Sequence, residues 1–425
     1  MKKILIGLMV ILAAGILSGC QGREPDRLTV YFVEDEANFY YSYIAKYVAE
    51  HSDVEIDVKK YSDIGEMETQ LVAAISGGKS PDVVLLDERT SLDVGKMVQD
   101  GQFLDLAPYL EEYTEEKYYT SILEAAKTGE HQYILSVGYA VPSLLTSKET
   151  GVYQEGMDGW EFMESFRLLM EEQNGTDEKA VIYPMCQAEF YDWLNYLGIS
   201  LVEGRQMMMD REAVRAAAEF YQAFLGSVEN GNAIRQSYAS DFVTAADKID
   251  IFMSREYLPG CARYYESVYT AGLHKEFLLG TIPAYEGRVN AVITHFGMVS
   301  QSTEHKEQAV SFLLGLLDAN LLDTCGLEVP VSLSREVMAD QVNLMEKSKG
   351  KKIQIGSGMV QVDYLSEELG EQVLGILDGV SGASLPNAGV AEILNESMAP
   401  YFEGKADLEE CMEQIKRRLS IYVSE

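Results

Sequence analysis

Apolar and polar positions alternate or recur along the chain in ways that mark its first elements. Leu28 to Val33 reads as a strand, and Tyr40, Ile44, Tyr47 and Val48 behind it share one helical face. Val54 to Val58 is a second strand. Met67, Leu71, Ala74 and Ile75 predict a helix that stops at Gly77-Gly78, because glycine tolerates the turn that ends a helix. Pro81-Asp82 then leads into Val83-Val84-Leu85-Leu86, a wholly apolar run of the kind buried on both faces of a parallel sheet. Strand, helix, strand, helix and strand in sequence predict a βαβ unit and an α/β class.

Further along, the pattern is mostly helical. Asp158 stands three residues ahead of Glu161, a capping-box spacing, and Phe162, Phe166 and Leu169 follow as its buried stripe up to Gln173. After Asp210, Val214, Ala217, Tyr221 and Phe224 mark a second long helix. Ile249 to Phe252 and Ala291 to Ser300, the latter carrying Gly297, read as strands, and Ala309, Leu313, Leu316 and Leu317 line the helix after the second. Pro400 predicts a kink or an early end in a helical stretch. The final helix starts at Asp407, with Glu410 at the box position, and buries Leu408, Cys411, Met412, Ile415, Leu419 and Tyr422. No internal repeat is visible.

The first twenty residues obey a different logic. Lys2 and Lys3 precede an uncharged apolar run from Ile4 to Leu17, then small residues and Cys20, the order of a secretory signal. The run is short for a membrane span of about 20 residues. Leu17-Ser18-Gly19-Cys20 resembles the bacterial lipobox, which implies cleavage before Cys20 and a lipid on its thiol. Residues 1–19 are thus read as a signal peptide, and 20–27 as the lipidated cysteine and a polar tether. The chain is expected to be exported and lipid-anchored to the outer face of the bacterial cytoplasmic membrane.

Charge removes one class of partner. Lys and Arg number 34 against 68 Asp and Glu, a net charge of −34 that repels phosphate backbones, so nucleic acid is excluded as a partner. Cys186, Cys261, Cys325 and Cys411 are widely spaced; in an exported protein they are compatible with disulfides or with buried thiols, and the spacing leaves both open. His51, His131, His274, His295 and His305 form no metal-binding spacing, and no motif implies a cofactor.

Four stretches resemble the extracellular solute-binding proteins of ABC importers, in particular the carbohydrate-type family that includes maltose-binding protein. They are Leu71 to Leu86 with its helix, glycine turn, Pro-Asp and buried strand; Gly101 to Leu106, a G-x-x-x-D-L turn; Pro283 to Leu313, a strand with a following A-x-x-F helix; and Tyr401 to Met412. The chain departs from the family at Tyr133-Ile134-Leu135-Ser136, where Tyr-Ala-Leu-Pro is common, and at Cys411. The resemblance implies two α/β lobes of periplasmic-binding-protein type joined by chain crossovers, with a ligand cleft between them. Lobe one would hold residues 28–137 and 291–325, and lobe two 138–290 and 326–425. It also implies an ABC permease and a small solute as partners.

Ligands of open α/β sheets sit beyond the carboxyl ends of strands, which selects candidates by position. Glu34, Asp35 and Glu36 follow the first strand; Asp87, Glu88 and Arg89 follow the Val83 to Leu86 strand. Tyr139 lies beside the first crossover, His295 and Phe296 lie on the second, and Tyr257 follows the Ile249 to Phe252 strand. Trp193 is expected to offer its indole face to a sugar ring, whereas Trp160, at a helix start, is expected in the core. The function expected is capture of a sugar or short oligosaccharide without turnover. A non-sugar solute, such as a polyamine or ferric ion, is the alternative. A secreted glycosidase would need two positioned carboxylates that no motif marks.

Overall fold

The computed structural model describes residues 26–33, 38–52, 54–147, 151–173, 180–182, 188–229, 233–234, 249–254, 258, 262, 276–319, 332–347, 351–355, 358–362 and 366–424. The first sheet grows from β1 (Asp26–Val33), α1 (Asn38–Glu50), β2 (Val54–Tyr61), α2 (Ile64–Ser76) and β3 (Val83–Asp87). β1 pairs in parallel with β2 on one side and β3 on the other, which is the expected βαβ arrangement. Tyr40, Tyr43, Ile44 and Tyr47 are the buried face of α1, while Val48 is exposed. Gly77 caps α2, and Gly78 takes a positive φ of 65° to turn the chain toward Pro81.

The chain then crosses from the first sheet to a second and back: β4 (Leu135–Ala140), β5 (Ser143–Ser147), α3 (Gly159–Gln173), β6 (Ala180–Ile182), α4 (Phe190–Tyr196), α5 (Arg211–Glu229), β7 (Ala233–Ile234), β8 (Ile249–Ser254), β9 (Phe277–Thr281) and β10 (Val289–Val299). After α6 (Lys306–Leu314) come α7 (Arg335–Lys347), α8 (Glu367–Asp378), β11 (Val380–Ser384), α9 (Ala388–Phe402) and α10 (Leu408–Tyr422). Sheet one has the order β11-β10-β3-β1-β2, with β4 also on β10; sheet two has the order β7-β6-β8-β5-β9. β10 runs antiparallel to β3 and β4 and parallel to β11.

Each sheet owns a core. Val30, Phe32, Val83 to Leu86, Phe296, Met298 and Leu313 belong to the first; Phe162, Phe166, Trp193, Phe220, Phe224, Leu394 and Ile415 belong to the second. Among the described residues, three passages of chain run between the two sheets: 140–143 between β4 and β5, 281–289 between β9 and β10, and 384–388 between β11 and α9. This is the two-lobed α/β fold. Leu333, Met338, Val342, Val373 and Leu377 pack in the first core, although the whole segment from 326 onward was expected in lobe two. Among the described residues after 326, those of α9 and α10 join the second core.

The capping residues at Asp158 and Asp407 are in place: Asp158 Oδ1 accepts from the Glu161 N–H at 2.8 Å, and Asp407 Oδ1 from the Glu410 N–H at 2.8 Å. Pro400 does not end its helix early. It sits near the C-terminus of α9, which continues to Phe402. Cys411 is a buried free thiol in the second core, while Cys20, Cys186, Cys261 and Cys325 lie outside the described residues. No described helix is long and apolar enough to cross a membrane.

Candidate functional site

The Pro81-Asp82 step shows how sequence positions the first wall of the site. Asp82 is buried, and its carboxylate accepts from the Thr29 N–H at 2.7 Å and the Thr303 hydroxyl at 2.5 Å. Its backbone adds bonds to Thr29 O and from Ser300 N–H, so one residue ties β1, β3 and the end of β10 together. With the strands in register, the loop after β3 emerges at a fixed place. Glu68 on α2 holds that loop from below: its buried carboxylate accepts from the Thr90 hydroxyl at 2.7 Å, the Ser91 N–H at 2.7 Å and the Ser91 hydroxyl at 2.5 Å.

At the lip of the loop, Asp87 and Arg89 form a two-pronged pair. Arg89 Nε donates to Asp87 Oδ1 at 3.0 Å, its terminal nitrogen to Oδ2 at 2.6 Å, and its backbone N–H to Oδ1 at 2.8 Å. Burial opposes ionisation of Asp87, but the bonds and charge of Arg89, with the nearby His295, outweigh it and hold the pKa below the ordinary carboxylate value. Glu88 donates its N–H to Thr294 O at 2.9 Å. His295 faces Asp87 across the β3–β10 ladder, its Nδ1 lies 3.0 Å from the Thr294 hydroxyl, and Tyr40 meets its ring edge-on at 6.3 Å.

A polar bridge connects this lobe to the other. The Tyr422 hydroxyl, from α10, donates to Asp93 Oδ2 at 2.7 Å and accepts from Asn387 Nδ2 at 3.0 Å. Asn387 caps α9 at the end of the third passage, and its own N–H donates to the Tyr191 hydroxyl at 2.9 Å. Lys96 lies over the Tyr422 ring at 4.9 Å, and Arg205 Nε donates to Gln99 Oε1 at 2.8 Å. These contacts set Asp93 and Lys96 of the first lobe against Asn387 and Tyr422 of the second, beside the loop that carries Asp87 and Arg89.

The structure brings Asp87, Glu88, Arg89 and His295 together as positions on one strand end. Glu34, Asp35, Glu36 and Tyr257 lie outside the described residues. Phe296 is buried in the first core because alternation along β10 turns it inward when His295 turns out. Tyr139 is buried on β4 with Tyr119 edge-on at 6.2 Å, so it forms wall rather than surface. The two tryptophans exchange the roles expected of them. Trp193 has no exposed area and packs on Tyr196, Phe220 and Phe224 at 5.6, 5.0 and 5.5 Å, leaving no face for a sugar. Trp160 is 51% exposed, because Gly159 takes the close contact with Ala284 and turns the next residue outward. Asp93, Asn387 and Tyr422 were missed; of these, Asp93 and Asn387 carry the cap spacings that could have marked them. Among the described residues no cluster of three or more metal-ligating side chains exists.

Residues 33–167 match the family model of bacterial extracellular solute-binding proteins. No curated protein sequence matches the chain. Among solved structures, the sugar-binding protein MalE from Xanthomonas citri superposes with a TM-score of 0.65 at 12% identity, covering 94% of this chain and 97% of its own. The galacto-N-biose/lacto-N-biose I-binding protein of Bifidobacterium longum, in complex with lacto-N-biose, gives 0.60 at 13% identity over 94% and 97%. An ABC substrate-binding protein of Listeria monocytogenes in complex with cycloalternan gives 0.59 at 13% over 94% and 99%. Residues 33–167 thus resemble the bacterial extracellular solute-binding proteins, and the two-lobed fold built around them is similar to that of these sugar-binding structures.

Proposed function

We propose that this chain is the substrate-binding lipoprotein of an ABC importer, taking a sugar or short oligosaccharide into the crevice between its lobes and delivering it to a membrane permease. The observation that carries the reading is the family match over the lobe that holds the Asp87–Arg89 loop. The solved relatives of the same fold that hold lacto-N-biose and cycloalternan support the sugar class. The chemistry of the lip agrees: Arg89 already neutralises Asp87, so the pair offers donors and acceptors to hydroxyls rather than an uncompensated charge to a polyamine. Binding without turnover follows from the same reading.

Export and anchoring through Cys20 belong to this proposal, as do the lobe limits. The packing of Leu333, Met338, Val342, Val373, Leu377 and Val380 supports a first lobe of 28–137 and 291–325 enlarged by α7, α8 and β11, and that of α9 and α10 a second lobe closed by them. A thermal-shift panel on the purified protein is the test. Maltose, β-1,6-galactobiose or lacto-N-biose should raise the melting temperature saturably, by mass action on the folded state. A panel in which only amines or ferric ion do so, or multiple-turnover hydrolysis of the bound sugar, rejects it. In cells, labelled fatty acid should enter the wild-type chain and not the Cys20→Ala variant.

A further inference from the structure

On lobe two, an open, solvent-facing cavity of about 460 Å³ lies beside Trp160. Its size lies within the roughly 300–1,000 Å³ of small-molecule sites. Gln154, Glu155, Met157, Trp160, Glu161 and Glu164 line it. Trp160 is held from behind by Tyr285, whose ring meets it edge-on at 6.3 Å.

We propose that this cavity is a second binding site, for a small organic cation bearing an ammonium or guanidinium head. The indole is the strongest aromatic partner for a cation, and here it is half exposed over a cavity while the chain's other indole is fully buried. Three of the five polar lining residues are glutamates, which as carboxylates only accept, while Gln154 supplies amide donors and Ser165 a hydroxyl. A sugar, which needs donors as well as acceptors, is matched less well than a donor-rich cation. An anion is excluded although the cavity lies at a helix start, because Asp158 and Glu161 occupy that end: Glu161 N–H donates to Asp158 Oδ1 at 2.8 Å, and Asp158 N–H to Glu161 Oε2 at 3.3 Å. Glu164 is bound by Arg167 through two bonds, which leaves Glu155 and the outer oxygen of Glu161 as the ion-pairing groups.

Intrinsic fluorescence isolates the site, since only Trp160 of the two indoles meets solvent. Arginine methyl ester should change the emission of the purified protein saturably in the millimolar range and protect it from acrylamide. Trp160→Ala should abolish the change, with binding by calorimetry roughly threefold to thirtyfold weaker. Glu155→Gln, a surface change that leaves the fold alone, should weaken binding, and added salt should do the same. No saturable change, an equal change with maltose or with an uncharged amide in place of the ester, or wild-type affinity in Glu155→Gln and in high salt would each overturn the assignment. Because maltose responses of the melting temperature report the crevice, loss of this site and failure of the sugar reading are separable.

Discussion

Single residues carry the main lessons about burial and charge. Trp193 is a core residue, so Trp193→Ala should lower stability by about 3–5 kcal/mol, the usual cost of emptying a large aromatic site. Its effect on solute affinity should be small once the protein is folded; a binding defect larger than the stability defect, by calorimetry and chemical denaturation, would return it to the crevice. Asp105 explains the G-x-x-x-D-L turn. Burial opposes its ionisation, but the Gln132 N–H, His131 and the Ala107 N–H all bond the carboxylate and hold its pKa below the ordinary value. A depressed native pKa stabilises the fold above the unfolded pKa of about 3.9, and that stability is lost as the pH falls through the native value. The gap in melting temperature between wild type and Asp105→Asn should thus be widest near neutrality and close in acid. A gap that does not change with pH would show that shape, and not charge, holds the turn.

At the scale of elements, β10 links the two cores and joins three neighbours in sheet one, and it can do so only by being thin at one point. A Cβ on Gly297 would lie 2.3 Å from Leu313 Cδ1 and 2.9 Å from Leu85 Cδ2, between α6 and β3. Gly297→Val should cost about 1–3 kcal/mol through overpacking and push α6 off the sheet. Unchanged denaturation midpoints would mean that the helix yields freely. The glycine was visible on the predicted strand, but its reason was not, because Leu313 and Leu85 are distant in sequence and meet only through sheet packing.

The whole molecule adds the relation between lobes. Tyr422, Asp93 and Asn387 come from three separate parts of the chain, and their bonds fix how α10 sits against the first lobe. Tyr422→Phe removes the donor to Asp93 and should cost about 1–3 kcal/mol of the contact. The expected readout is a shift in the radius of gyration by small-angle scattering, with a parallel change in solute affinity, because binding depends on the population of the competent arrangement. If neither quantity moves, the bridge is passive.

The α/β class, the first βαβ unit, the long helices and their caps were legible in sequence, because periodicity and capping are local: Asp158, Asp407 and the Val83 to Leu86 run act on neighbours within one element. The positions of Asp87 to Arg89 were also legible, since a strand end is a place along the chain. The short strands β4, β5, β9 and β11 were not, because their apolar runs have no period that separates strand from buried loop. That Leu333, Met338, Val342, Val373, Leu377 and Val380 belong to the first core is decided by packing. The exchange of roles between Trp160 and Trp193 has the same origin: both are tryptophans on amphipathic helices, and which one is buried depends on Phe220 and Phe224 meeting Trp193 while Ala284 crowds Gly159, contacts between residues dozens of positions apart.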